Sequence, residues 1–490
     1  MENNIFSFSA TETGYNHLKV SKVCEDASDF YDDKETHIGV IADGHGSDNY
    51  PRTDRGARFA VDAAIRCIAE FIENADPRQV IEDERHNYTL LTQLAKSILR
   101  DWYQAVENDY NKHPFEESEL EKVSDKYRKR YLSEKESERR VEKAYGCTLI
   151  AFAVTEEYSF GLQIGDGKCV VINQCGDFTE PIPWDDDCQM NVTTSICDSD
   201  AIDEFRFCVF NNAPAAVFCG SDGIDDSYAN SEEMYALYRS ILKIFIEHGI
   251  EVGKSEIKEY LPVLTKRGSG DDVSVATIID FKKITELAPI FEIQASLFNL
   301  SAELESKKRK LTVTGEKMDA LYKKNRDFSR RDGRQQDTEQ GLYNLVGLSN
   351  QLKAEIDAAE QQIAELKKER QELIYDMETA SFDESADESN DVVSGVQIED
   401  NKIEESTADN EVETDADASD SKGTVSEGEF SKNLADVEEG MPLEATEKET
   451  AGKRSKAENF AIETESENIC NDIPSTQQDE QTDTADNTAF

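Results

Sequence analysis

Four aspartates stand beside glycines at the ends of short apolar runs, and no other feature of this sequence restricts its fold as much. They are Asp43 in V-I-A-D-G-H-G, Asp166 in L-Q-I-G-D-G-K, Asp222 in F-C-G-S-D-G-I-D-D and Asp271 in G-S-G-D-D-V-S-V. Apolar or β-branched runs of about 4–8 residues bounded by glycine read as buried strands. A rigid sheet can aim side chains at its strand ends toward one point. Carboxylates gathered there need a cation, and without a His or Cys cluster beside them they favour Mg²⁺ or Mn²⁺ over zinc.

The formal charge of -51 over 490 residues is unevenly placed. From Thr379 to Phe490 there are 32 acidic and 7 basic side chains, few aromatics and no sustained apolar period. Such a segment cannot bury enough surface to offset chain entropy, so residues 379–490 are expected to form a disordered acidic tail. Strong acidity also argues against a nucleic-acid ligand, because phosphate contacts require clustered Lys and Arg. The ten cysteines include no C-x-x-C pair, and most lie inside apolar runs such as R-F-C-V-F. That is neither a zinc site nor a disulfide framework. The opening residues lack the basic and apolar regions of a signal peptide, and no run of about 18 apolar residues occurs. A reduced, cytoplasmic protein with no membrane partner is the expectation.

Residues 1–283 read as globular. Helical apolar spacing begins at Gly56 and again at Leu90, giving core helices, whereas the charged stretch Glu116 to Lys143 is expected to project as an exposed helical insert. From Gly146 to Thr179 the pattern is short strands with tight turns at T-E-E and G-D-G, which suits an antiparallel meander. Strands and helices are segregated rather than alternating, so the class is α+β. Over residues 284–378 apolar side chains recur every seven positions, as in Ile290, Leu297, Leu304, Leu311 and Met318, then Leu345, Leu352, Ala359, Leu366 and Leu373. Two coiled-coil segments broken near 326–341 are expected. They would fold back on each other, or pair with a second copy or a partner helix; one amphipathic helix packed on the globular part is the alternative.

Within D-G-H-G, Gly44 lets the backbone approach an ion, and its carbonyl can serve as a ligand. His45 stands two residues from Asp43, within reach of a reacting group, and would titrate near neutrality as a general acid. Other acidic runs carry less. Asp198, Asp200 and Asp203 lack the glycine of a calcium loop and read as a solvated turn, and Asp185 to Asp187 as a charged rim.

The order H-x6-C-E-D-A (His17, Cys24, Glu25, Asp26), I-A-D-G-H-G, G-C-T-L with I-G-D-G-K, S-D-G-I-D-D and G-D-D-V-S-V resembles the metal-dependent protein phosphatase 2C family, with an opening most like its bacterial branch. The resemblance covers roughly residues 8 to 281. It implies a four-layer α/β/β/α sandwich of two antiparallel sheets with a binuclear metal centre, followed here by the coiled-coil helices and the acidic tail. It further implies a protein serine/threonine phosphatase that hydrolyses phosphomonoesters by attack of a water bridging two Mg²⁺ or Mn²⁺ ions. In that scheme Asp43 bridges both ions, the Gly44 carbonyl binds one, and Asp222 and Asp271 complete the other. Glu25 and Asp26 hold metal-bound waters, and Asp166 with Asp222 matches positions that bind a third ion in some members. Many relatives place a phosphate-binding arginine where this chain has Ser21, so Lys22 or Arg52 is expected to take that role. The rival reading is a non-catalytic module that senses a phosphoprotein and acts through its coiled coil.

Overall fold

The computed structural model describes residues 4–388 except 82–83, 187, 189–191 and 329–335. Most of residues 379–490, expected as the acidic tail, lies outside the described residues. All described residues belong to the unit Met1–Gly440.

The strands are β1 (Ile5–Glu12), β2 (Ala27–Asp32), β3 (Thr36–Ala42), β4 (Leu149–Thr155), β5 (Ser159–Ile164), β6 (Lys168–Ile172), β7 (Phe178–Thr179), β8 (Arg206–Phe210), β9 (Ala216–Gly220) and β10 (Val273–Asp280). They form two five-stranded antiparallel sheets, ordered β1-β10-β9-β6-β7 and β2-β3-β4-β5-β8. In β3, Ile38, Val40 and Ala42 face the helices Thr53–Asn74 and Glu84–Lys112, while Ile41 faces the other sheet. β9 does the same in the opposite sheet, with Ala216 and Phe218 toward the helices Ser231–His248 and Ile250–Arg267, and Val217 and Cys219 toward the inter-sheet core. Strands buried on both faces read as continuous apolar runs rather than alternating ones. The result is the expected four-layer sandwich.

Two local expectations are corrected. β4 and β5 do form an antiparallel pair, but G-D-G does not continue the meander: β6 crosses to the other sheet and pairs with β9. Gly165 takes φ +105°, and a Cβ on Gly167 would stand 2.7 Å from the Gly220 carbonyl. The crossing thus needs both glycines, and it carries Asp166 from one sheet to the other. The segment 116–143 does not project either. Leu120, Val123 and Tyr131 are buried in the core over the second sheet, and the Tyr131 hydroxyl donates to the Asn49 carbonyl at 2.6 Å.

The helices Ala288–Phe328 and Gln336–Glu388 run antiparallel: Leu304 meets Ile356 and Ala359, Lys308 pairs with Glu360 at 3.1 Å, and Gly341 faces Leu321. The base of this hairpin enters the globular core. Leu287, Ile290 and Phe291 are buried with Phe218 and Phe245, and Leu373, Ile374 and Met377 pack on the same cluster. Gln294 donates to the Gly176 carbonyl at 2.8 Å, and Arg370 pairs with Asp177. A boundary after residue 283 therefore cuts through packed apolar contacts. Among the described residues no helix is long and apolar enough to cross a membrane.

Candidate metal centre

Strand ends bring the acidic side chains together. Asp43 follows β3, Asp26 precedes β2, Asp166 lies between β5 and β6, Asp222 follows β9 and Asp271 precedes β10. The turn at Asp43 is pinned on both sides by Thr148, whose hydroxyl accepts from the Asp43 N–H at 3.1 Å and whose own N–H donates to the Asp43 carbonyl at 2.7 Å. Gly44 is obligatory: a Cβ there would lie 2.4 Å from the Glu25 carbonyl oxygen and 2.6 Å from Thr53 Oγ1. This close approach holds the loop of Glu25 and Asp26 against the D-G-H-G turn.

The electrostatics of the group are those of like charges crowded away from water. Burial, then the charges of Asp222 and Asp26, raise Asp43 well above the usual carboxylate range. Asp222, within hydrogen-bond reach of Asp43, is pushed up to about 7 by burial and by Asp166, Asp271 and Asp226. Burial and the charges of Asp272 and Asp222 bring Asp26 to about 8, and its buried Oδ2 has no hydrogen-bond partner. Burial takes Glu25 to about 7 although Lys22 opposes the shift, and burial raises Asp166 too. Asp26, Asp43, Asp166, Asp222 and Asp271 thus act on one another through space, although they are dispersed over some 250 residues of chain.

Asp272 is the residue that sequence reasoning left without a role. Its Oδ1 accepts from the Gly14 N–H at 2.6 Å and lies 2.8 Å from His17 Nδ1, while Oδ2 accepts from the Glu25 N–H at 2.6 Å. Against the cost of burial, these donors hold it below the usual carboxylate range. Asp272 so ties the Glu25 loop to the start of β10, beside exposed Asp271. Ligand atoms of His17, Asp271 and Asp272 lie within 4.8 Å of one another. The doubled aspartate in G-D-D was the available signal, but which of the two faces inward depends on the strand pleat.

Three expectations change on the structure. Arg52 is not at the cleft: it is 2 % exposed, its Nε and Nη2 grip Glu119 at 2.8 and 2.9 Å, and Nη1 donates to the His113 carbonyl and the Tyr145 hydroxyl, both at 2.7 Å. A guanidinium so occupied has no fork left for phosphate. Lys22 does lie at the rim, 2.6 Å from Glu25 Oε2 and 2.7 Å from the Gly46 carbonyl. Ser21, beside it, is the one non-glycine residue with positive φ (56°) among the described residues. His45 does not titrate near neutrality: burial lowers it to about 4, with Asp198 opposing, and its Nε2 lies 2.7 Å from Ser195 Oγ. Asp198, read as part of a solvated turn, instead accepts from the Ser195 N–H at 3.1 Å and pairs with Lys143.

The protein phosphatase 2C family model matches residues 13–261, more than half of the chain, and the chain belongs to that family. The chain is similar to the catalytic domain of serine threonine protein phosphatase PstP, solved in complex with two manganese ions, at 16% identity and a TM-score of 0.34 over 56% of this chain and 97% of that one. Serine/threonine phosphatase Stp1 from Staphylococcus aureus is similar at 15% identity and a TM-score of 0.36, over 56% of this chain and 94% of that one. PppA, a regulatory component of the type VI secretion system in Pseudomonas aeruginosa, is similar at 16% identity and a TM-score of 0.35, over 56% and 97%. No curated protein sequence matches the chain.

Proposed function

We propose that this protein is a Mg²⁺- or Mn²⁺-dependent protein serine/threonine phosphatase that acts on phosphorylated proteins. One observation carries the reading: Asp43 and Asp222 lie within hydrogen-bond reach at the centre of further carboxylates, in a place where burial and mutual repulsion disfavour their charged forms. Protein interiors keep such groupings where a cation compensates them. The donor set fits a hard divalent ion, since it is all carboxylate and carbonyl oxygen, and the orphaned Asp26 Oδ2 is an acceptor awaiting a donor. Asp43, the Gly44 carbonyl, Asp222 and Asp271 would hold two ions, with Glu25 and Asp26 behind them, and Asp166 with Asp222 would hold a third. Bound there, the ions would neutralise a phosphoryl group and acidify the attacking water.

The chain's own residues supply the rest. Lys22, at the rim, contributes a point charge to the substrate phosphate in place of a bidentate arginine. His45 donates a proton to the leaving serine or threonine oxygen; the phosphate dianion favours the imidazolium that burial alone disfavours. The hairpin of the two long helices offers its distal surface to a second copy or to a partner helix, and the nine described cysteines are free thiols, in keeping with a cytoplasmic setting. The commitment of Arg52 elsewhere, together with Ser21, is what favours the rival reading of a non-catalytic phosphoprotein sensor. Hydrolysis of phosphoserine and phosphothreonine peptides with Mn²⁺, with and without chelator, separates the two. Chelator-sensitive release of phosphate is expected; binding without turnover establishes the sensor.

A further inference from the structure

Residues 14–23 bridge two of the strand ends that carry the acidic cluster. At the start of this segment the Gly14 N–H donates to Asp272 Oδ1 at 2.6 Å, the Tyr15 N–H to Thr265 Oγ1 at 3.0 Å and the Asn16 N–H to the Gly270 carbonyl at 2.8 Å. Near its end Lys22 Nζ lies 2.6 Å from Glu25 Oε2 and donates to the Gly46 carbonyl at 2.7 Å. One end is thus fixed beside Asp271 and the other beside the turn of Asp43. Between them the short helix Tyr15–Val20 has no buried residue, and it closes on Ser21 in the left-handed region (φ 56°), with the Lys22 N–H donating to the His17 carbonyl at 3.0 Å.

This firmly held segment carries three aliphatic side chains from which the fold takes no packing: Leu18 is 58 %, Val20 72 % and Val23 61 % exposed. Single exposed aliphatics are ordinary on a protein surface. These three fall within six residues and flank the one lysine that faces the carboxylates. Val20 and Val23 are within two residues of Lys22, so their Cα atoms stand about 4–7 Å from its own. Lys19 and Lys266 lie over the Tyr15 ring at 4.1 and 5.7 Å, so positive charge collects here in a chain of net charge -51.

We infer that Leu18, Val20 and Val23 are the docking surface for the substrate polypeptide and select phosphoproteins with an aliphatic residue within about three places of the phosphoserine or phosphothreonine. The inference rests on the reading proposed above, in which Lys22 meets the substrate phosphate. An extended chain advances about 3.3 Å per residue, so neighbours one to three places from a phosphoryl group at Lys22 come level with Val20 and Val23, and then with Leu18. The lysines complement the charge of a phosphopeptide, whereas an anionic membrane would be repelled by the acidic remainder of the chain. Contacts of this kind touch the flanks of the substrate and not the bond that breaks. They are made equally in the ground and transition states, and so they act through KM.

The test uses the full chain and two phosphoserine peptides that differ only in the residues flanking the phosphoserine, leucine and valine in one and serine in the other. With Mn²⁺ the wild type is expected to favour the aliphatic peptide by about 10-fold in kcat/KM, chiefly through KM. The triple variant Leu18→Ser/Val20→Ser/Val23→Ser should use the two peptides almost equally. Comparing two peptides cancels any general harm to the site, and substitutions at such exposed positions change stability little. Equal use of the peptides by the wild type, or a preference that survives in the triple variant, overturns the inference. So does a triple variant that keeps the preference yet no longer self-associates or no longer sediments with phosphatidylglycerol vesicles, which assigns the segment to a second copy or to a membrane. A second arm needs no turnover: phosphonate analogues of the two peptides, followed by fluorescence anisotropy, should bind with the same preference and lose it in the triple variant. That result in a protein without turnover leaves the docking assignment standing and removes only the phosphatase reading. Turnover of both peptides with equal affinity for both analogues does the reverse.

Discussion

Two buried polar clusters on either side of the D-G-H-G loop differ in one respect, and the difference separates structure from function. Around Arg52 every charge is answered. Glu119 grips the guanidinium through both oxygens, Asp109 accepts from the Tyr145 hydroxyl at 2.7 Å, and the Phe115 ring lies 4.4 Å from the guanidinium carbon. Glu119 is held below its ordinary range chiefly by that arginine. Around Asp43 the reverse holds: carboxylates face one another, and Lys22 at the rim is the only lysine or arginine ion-paired with any of Glu25, Asp26, Asp43 and Asp222 among the described residues. A self-sufficient cluster is part of the scaffold. The unmatched charge around Asp43 is what the proposed metal ions would neutralise.

The largest effect should come from the unmatched cluster. Asp43→Asn or Asp222→Asn is expected to abolish Mn²⁺-dependent phosphatase activity, since on the proposed reading each would remove a charged ligand from the ions that would carry most of the transition-state stabilisation. The same variants should leave the metal-free protein at least as stable as wild type, because a like charge has gone. Thermal unfolding in chelator together with a phosphopeptide assay checks both halves; wild-type turnover would sink the site assignment.

The matched cluster should respond in the opposite sense. Arg52→Ala leaves Glu119 without its cation, while Asp109 keeps Arg55 at 3.1 Å, and breaking a buried pair in this way costs about 3–5 kcal/mol. Denaturant unfolding should show that loss, while the Mn²⁺ affinity of the protein that remains folded is unchanged. A selective fall in metal or phosphate affinity at unaltered stability would return Arg52 to the active site.

His45→Ala should slow turnover of a phosphoserine peptide by roughly 10²-fold, the usual contribution of a general acid, and of an aryl phosphate by much less. Parallel losses on the two substrates would reject proton donation.

The smallest effect concerns pH. Glu25 and Asp222 at about 7 and Asp26 at about 8 lie above their ordinary range, so the metal-free native state holds protons that the unfolded chain has released. Their contribution to stability is present at low pH and fades as pH rises through 7 to 8. In chelator, the melting temperature of wild type relative to Asp222→Asn should fall between pH 5 and pH 8. The rise on adding Mn²⁺ should grow over the same interval. A difference that stays flat or widens in favour of wild type would show that the cluster is not strained.

Much of this was legible in the chain. Asp43, Asp222 and Asp166 announce themselves because a glycine beside a carboxylate at the end of an apolar run is a local pattern, and Gly44 proves to be required by a close contact with the Glu25 loop. Arg52 misled because a cation nine residues from Asp43 looks near in sequence, whereas it opens a helix whose first turn faces Glu119 and Tyr145. Heptad spacing likewise does not reveal that its first member, Ile290, is buried with Phe218 and Phe245 at the base of the hairpin.

By itself the sequence determined which segments are strands buried on both faces, that carboxylates stand at their ends, and that the acidic excess is concentrated beyond the globular part. Those are properties of neighbours in the chain, and periodicity and composition record them. Only the tertiary structure decided that β6 leaves β5 for the opposite sheet, that Asp272 rather than Asp271 turns inward, and that Ser195 meets His45 from 150 residues away. Each of these depends on which surfaces meet when two sheets close on a common core, and long-range packing leaves no period in the chain to read.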